Sequence, residues 1–470
     1  MLNRESVNIT QSSAIAPFAS LPLLCTVGFF LISISLGFAG AGKIVNPAYL
    51  LGSVALGLFL FFREPLLFNG FVWNLWFLSP FVRRIADWKS GFTDPSTILL
   101  APYLVTMISL LTFLKHFPSI NRRGALPFAI AFLSISYSFL IAFVYKSPSE
   151  AVRGYLDWMS GIALGFHIFA NWRDYPAYKR NVQKVFLLGV FVMGVYGIFQ
   201  YVYAPEWDLL WRLNTGLVSA GHLDSTEIRA WSTMNAPLPF ASTMSAGLLV
   251  LLSQDGILAI PATLVGFLSF LLSLARTAWG GFIVGLISLT FVSSQKFQIR
   301  LLLIVIILVL GLIPLTSMDV FSEAIYGRLG SLASLSQDDS ATTRAYFFDL
   351  QIGDALRSWL GYGIGGKVYD WGIFSLLFSL GWISSLFYVG SILLSLVTLY
   401  QGKEHKADPF IGVSRSIVLG TFSMIALATP FTAVTGVVLW SFLGMGLAGK
   451  KYCMSQYEPT LENQATDILS

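Results

Sequence analysis

Three arginines stand apart from the other cations of this chain. Arg229 lies in Glu227-Ile228-Arg229-Ala230-Trp231-Ser232-Thr233, Arg276 in Ser273-Leu274-Ala275-Arg276-Thr277-Ala278-Trp279-Gly280, and Arg344 in Asp338-Asp339-Ser340-Ala341-Thr342-Thr343-Arg344. Each falls at the edge of a long apolar run or in a polar stretch between two of them. A guanidinium at a membrane boundary costs free energy unless it is paired or wetted, which makes such residues functional candidates. Its planar fork meets phosphate oxygens two at a time, whereas an ammonium acts as a point charge. Three converging arginines therefore suit a diphosphate better than a neutral solute. The bland alternative is local: each could pair with an acid such as Glu227, Asp339 or Asp349, or lie along lipid headgroups.

Group transfer from a diphosphate would need a second residue. Negative charge grows on the leaving diphosphate, where fixed guanidinium groups stabilise it, while the attacking hydroxyl must lose or orient its proton. Asp370 is the first candidate for that base, with His222, Asp224 and Glu227 behind it. An Asp just before an apolar run is also a common helix N-cap, which is the competing reading of Asp370.

The elements that must position these residues follow from composition. The chain has 470 residues, 55% hydrophobic, 15% aromatic and 11% charged, with a mean hydropathy of +0.72. Soluble domains carry about 25% charged residues, so a free globular enzyme, a nucleic-acid binder and a disordered chain are excluded. The expected fold is an all-α, polytopic integral membrane helix bundle of about 12 to 14 transmembrane helices at about 20 residues each, with a partly helical extramembrane cap. Apolar runs lie at about 17 to 39, 44 to 62, 66 to 82, 97 to 114, 125 to 145, 155 to 171, 185 to 204, 237 to 253, 256 to 274, 276 to 293, 300 to 317, 371 to 398, 411 to 428 and 431 to 449. The third contains Asn74 and Pro80 and reads as either a span or a re-entrant segment.

Basic loops then fix the orientation. Lys115, Arg122 and Arg123, the group Arg173, Lys179, Arg180 and Lys184, then Lys296 with Arg300, Lys403 with Lys406, and Lys450 with Lys451 fall on one side, which places both termini in the cytoplasm. The organisation is an N-terminal bundle over 1–204, an outer loop over 205–236, central helices over 237–317, a large outer loop over 318–370, C-terminal helices over 371–449 and a cytoplasmic tail over 450–470. Arg83, Arg84 and Lys89 break the pattern by falling outside. Either the third run does not span, or these cations have an anionic partner there, which adds Arg83 and Arg84 to the substrate-binding candidates. Cys25 and Cys453 suggest neither a disulfide framework nor a metal site.

Taken in order, Arg229-Ala230-Trp231-Ser232-Thr233-Met234-Asn235-Ala236-Pro237, Ser273 to Gly280, Asp339-Ser340 with Arg344, and Trp359-Leu360-Gly361-Tyr362-Gly363-Ile364-Gly365 resemble the signature of the O-antigen ligase and O-antigen polymerase superfamily. The resemblance covers about residues 225 to 390. It implies a bacterial inner-membrane glycosyltransferase that works on the periplasmic face with undecaprenyl-diphosphate-linked oligosaccharides, without nucleotide sugar, metal or other cofactor, and with arginines at the donor diphosphate. Implied partners are the lipid-linked sugars, the bilayer, and a chain-length regulator or other polysaccharide assembly proteins. Ligase members resemble one another in a histidine followed by asparagine before the span after the large loop. Here Tyr369-Asp370-Trp371-Gly372 stands in that place, which favours polymerisation of repeat units over ligation to a lipid or protein.

Other signals carry less. Gly361 to Val368 has the glycine and lysine spacing of a phosphate-binding loop, yet Val368 replaces the hydroxyl residue and no strand precedes it, so a turn is expected. His167 reads as a helix-packing hydrogen-bonding residue. Lys403, Glu404, His405 and Lys406 read as a solvated turn. A transporter or lipid-linked oligosaccharide flippase is the rival from another class, but ion-coupled carriers place charge near the midplane, and these runs are nearly free of charge except at their ends. A scaffold subunit of an assembly complex is the third reading.

Overall fold

The computed structural model describes residues 21–116, 124–221, 228–254, 256–292, 298–299, 302, 306, 339–366, 371–402 and 408–469, with the backbone alone described at 292, 339–345, 347 and 457–469. Its regular structure is helical; an isolated antiparallel bridge joins Gly221 to Ile228. The helices are α1 (Leu21–Phe38), α2 (Gly42–Arg63), α3 (Pro65–Ser90), α4 (Ala101–Met107), α5 (Leu110–His116), α6 (Leu126–Tyr145), α7 (Pro148–Ala170), α8 (Tyr175–Tyr203), α9 (Glu206–Thr215), α10 (Pro237–Leu252), α11 (Ala259–Leu272), α12 (Arg276–Val292), α13 (Asp339–Arg357), α14 (Gly372–Tyr400), α15 (Pro409–Ser423) and α16 (Ala433–Leu469).

Among the described residues, nine helical segments are long and apolar enough to cross a membrane. The three central helices α10, α11 and α12 are apolar but shorter, and the run expected at about 300 to 317 lies almost wholly outside the described residues. α7 opens on two polar turns containing Glu150, Arg153 and Asp157, started by a capping box in which Ser147 and Glu150 exchange hydrogen bonds. The third run is one continuous helix of 26 residues, α3, and Pro80 lies inside it. The run at 97 to 114 is instead broken at Ile108 and Ser109 between α4 and α5. The expected tail at 450–470 continues α16 as helix to Leu469.

Apolar side chains on the outer faces are exposed, among them Leu51 at 70%, Leu140 at 67% and Leu386 at 67%, as a lipid-facing surface requires. Inside, helices approach through small residues. Gly161 and Gly165 of α7 lie against the backbone of Gly436 and Trp440 in α16, and Gly281 of α12 against Gly420 of α15, with no room for a Cβ at any of them. Where lipid is as apolar as the side chains, such close packing holds helices together.

The contacts sort the helix ends into two levels. At one, here the cap end, the close of α3 meets the start of α2 through Ser90 Oγ, which accepts from Gly42 N at 2.9 Å. α9, the close of α8 and α11, and the starts of α7, α10, α12 and α14 share this level. At the other, the base, Lys179 at the start of α8 holds Asp408 before α15 at 2.8 Å, and Lys450 donates to Thr398 O and Gln401 O at the end of α14. Arg173, Lys179, Lys450 and Lys451 all belong to the base. His167 meets Thr112 Oγ1 at 2.7 Å and Tyr178 OH at 3.1 Å, the packing part expected of it.

Candidate functional site at the cap end

Between Ile228 and Ala236 the residues Ile228 and Ala230 to Met234 are buried although the chain has no regular structure, so their backbone polar groups need partners within the protein. They come from α8 and α3, and at Ala230 from Leu272 O of α11. Gln200 Oε1 of α8 accepts from Trp231 N and Ser232 N at 2.9 and 2.7 Å. Ser232 Oγ donates to Met193 O at 2.6 Å, and Thr233 Oγ1 to Phe77 O of α3 at 2.6 Å. Ser232 O accepts from Arg84 Nη2 at 2.6 Å.

Arg84 is the centre of this arrangement. Its Nη1 donates to Asp208 of α9, and both side chains are fully buried. Asp208 also accepts from Tyr196 OH at 2.8 Å and Gln200 Nε2 at 2.7 Å. Burial pushes the Asp208 carboxyl above its usual range, and Arg84 with these two donors opposes that shift. Arg83 is held separately. Its Nε meets Asp87 at 3.2 Å, its Nη2 donates to Thr93 O at 2.6 Å, and its guanidinium lies over the rings of Trp211 and Phe92 at 4.7 and 4.9 Å. Asp87 and Asp208 are the anionic partners of these cations, and α3 is long and apolar enough to cross a membrane. Arg84 thus braces the segment that carries Arg229, while Arg83 is engaged by Asp87, Thr93 O and the Trp211 ring of α9.

Arg229 and Arg276 come to one junction. Arg229 N donates to Ala220 O at 2.8 Å, and the next residue, Ala230, donates from its N to Leu272 O at 2.9 Å. Leu272 ends α11, and Arg276 is the first residue of α12 one turn further on, so the two signature segments are tied by backbone at the point where both arginines leave it. Both side chains are half-buried. Arg344 lies on α13, which packs on α14 through Ala355, Phe374 and Phe378; its side chain is outside the described residues. Asp370, His222, Asp224 and Glu227 are also outside them.

One carboxylate that sequence reasoning passed over belongs to this level. Asp157, half-buried on α7, hydrogen-bonds Tyr103 of α4 with Arg153 close by. The usable signal was a lone acid at the edge of an apolar run.

The glycine-rich motif is a turn, as expected. Gly361, Gly363, Gly365 and Gly366 all have positive φ. A Cβ at Gly363 would strike the backbone of Ala142 at the end of α6, and one at Gly365 that of Glu150 at the start of α7. Gly361 presses on Gly381, where α14 departs from helical geometry at φ 73°. The spacing serves close backbone approach between three helices. No protein-family model and no curated protein sequence matches this chain.

Proposed function

We propose that the protein is a metal-independent membrane glycosyltransferase that polymerises undecaprenyl-diphosphate-linked oligosaccharide repeat units on the periplasmic face of the bacterial inner membrane. The observation that carries this reading is the junction of Arg229 with Arg276. Two half-buried arginines leave the backbone there, one of them at the start of α12, and a helix start with cations beside it is suited to an anion. A cation on the first residue of a helix opposes the helix dipole by about 0.3–1 kcal/mol. The base is rich in Lys and Arg, and the positive-inside rule then turns the junction outward, with both termini inside.

In this reading Arg229, Arg276 and Arg344 hold the donor diphosphate. The hydroxyl of the acceptor sugar attacks the anomeric carbon from the face opposite the diphosphate, the carbon–oxygen bond to phosphate breaks, and the electron pair leaves on the diphosphate. The hydroxyl proton passes to a carboxylate, for which Asp370 is the sequence candidate and Asp157 the one with a described environment. A single displacement inverts the anomeric carbon.

The test is the length of the surface glycan together with a purified reaction. Arg229→Ala and Arg276→Ala are expected to remove long chains while single repeat units and protein level persist, and the purified protein should lengthen lipid-linked repeats in the presence of chelator. Normal chain lengths in both variants would refute the proposal. Lipid-bound polymer that forms but never reaches its acceptor would assign ligation, and transbilayer movement of the lipid with no new glycosidic bond would assign a flippase.

A further inference from the structure

The apolar stretch that forms α4 and α5 carries a hydroxyl at every third residue: Tyr103, Thr106, Ser109 and Thr112. The break between the two helices falls among them and changes the hydrogen-bond register. Ile108, Ser109, Leu111 and Thr112 each donate from N to the carbonyl three residues back, at 3.0–3.1 Å. In such turns side chains three apart eclipse, so Thr106, Ser109 and Thr112 stack in one column. All three are buried, and Ser109 Oγ has no hydrogen-bond partner. Irregular backbone at membrane depth persists only inside protein or beside water. Thr106 Oγ1 accepts from Trp76 Nε1 at 3.0 Å and donates to Pro102 O at 2.5 Å, a donor that a freely rotating hydroxyl can redirect.

The column meets titratable groups of α7 at both of its ends. Toward the cap, Tyr103 hydrogen-bonds the half-buried Asp157, with the exposed Arg153 close by. Toward the base, Thr112 Oγ1 meets His167 Nδ1 at 2.7 Å, and His167 Nε2 meets Tyr178 OH at 3.1 Å. Asp174, exposed at the base, lies within electrostatic reach of Tyr178. An imidazole bonded to hydroxyls at both nitrogens takes a proton on one as it releases a proton from the other.

We propose that this column, from Asp157 through Ser109 and His167 to Asp174, is a proton path between the two ends of the bundle. Asp and His inside a membrane bundle characteristically serve such relays. Hydroxyls three residues apart on a helix have Cβ atoms about 5–6 Å from each other, a gap that one bridging water closes. Each hydroxyl accepts one proton and passes on another, so one proton leaves at the far end for each that enters, and no bond to carbon changes. The activity needs no sugar and stands apart from the transfer proposed above.

The experiment uses the full chain in liposomes that enclose a pH-sensitive dye, with a potassium gradient and valinomycin setting the voltage and no lipid-linked sugar present. Wild-type protein should carry protons at least about tenfold faster than protein-free liposomes of the same lipid. Ser109→Ala with Thr112→Val removes two hydroxyls at little change in volume and should slow the flux at least about fivefold, whereas Thr112→Ser should keep it within about twofold. Should the double variant not be recovered, His167→Gln replaces it, because an amide keeps hydrogen bonds but relays no proton. Wild-type flux equal to that of protein-free liposomes, or flux indifferent to these substitutions, overturns the path. Sodium passing as fast as protons overturns it too, since a chain of hydroxyls transfers protons alone.

Discussion

Replacing Arg84 by alanine should be among the most damaging single changes in this protein, although Arg84 faces no solvent and touches no substrate in the proposed reaction. The substitution removes the guanidinium from Asp208 and from Ser232 O together. It leaves a fully buried carboxylate with only Tyr196 and Gln200 as donors. Breaking a buried pair from one side costs about 3–5 kcal/mol, because the remaining charge stays out of water. Asp208→Ala should cost about the same by stranding the cation. The double variant removes both charges, so its cost should resemble that of either single change and not their sum, a coupling of at least about 2 kcal/mol. The assay is equilibrium unfolding in mixed micelles for the three variants, with glycan length measured beside it. Long chains should be lost in all three, since the segment bearing Arg229 hangs from Ser232. Single changes costing under about 1 kcal/mol, as exposed ion pairs do, or costs that add within about 0.5 kcal/mol, would refute the argument.

Two other perturbations separate packing from charge. Gly363→Ala places a Cβ against the Ala142 backbone at φ +80°, whereas Gly91→Ala meets nothing within 4 Å at φ +89°; the first should cost at least about 1 kcal/mol more than the second in the same unfolding assay, the difference being the contact and not the backbone conformation. At the base, Lys179→Met should cost less than about 1 kcal/mol because the Lys179 side chain is 28% exposed. Asp408→Ala should cost about 1 kcal/mol more than Lys179→Met, since Asp408 also accepts from Phe410 N as the N-cap of α15 and from Tyr175 OH.

Hydropathy alone locates α10, α11, α12 and α14 to within three residues at either end, because each is bounded by a break in apolar character that coincides with its last turn. It misplaces α7 and α8, whose first turns are helical but polar: the Ser147 capping box starts α7 about seven residues before the apolar run, and Tyr175 starts α8 about ten before. The split of α4 from α5 is invisible to it, since Ile108 and Ser109 keep the run apolar while the helix yields. The segments around Arg229 and Arg276 stand out in the sequence as short motifs, but not the reason they hold their shape. Arg84 and Asp208 are 124 residues apart, and Arg84 and Ser232 are 148 apart. Pairing across such distances is decided by helix packing, which no local pattern encodes. The two arginines that depart from the basic-loop pattern rest against buried acids, Asp87 for Arg83 and Asp208 for Arg84.

The cap end concentrates costs that a bundle selected only for stability would avoid. Among the described residues, four that are not glycine have positive φ, and three of them flank this site: Ala204 between α8 and α9, Ser232 in the braced segment, and Leu274 just before Arg276. Each such residue costs on the order of 1 kcal/mol or more and persists only where its surroundings over-determine it. Here they do, through Gln200, Met193 and Arg84 at Ser232. To these add a cation on the wrong end of a helix and an ion pair taken fully out of water. Strain at Leu274 has a direct geometric use: it turns the chain from α11 into α12 within three residues, so that Arg276 leaves the backbone one turn from the carbonyl that anchors the Arg229 segment. A relaxed loop would separate the two arginines. Backbone already fixed beside both arginines is what electrostatic stabilisation of a departing diphosphate, in the function proposed above, would need, because donors fixed in position require no reorganisation as charge develops.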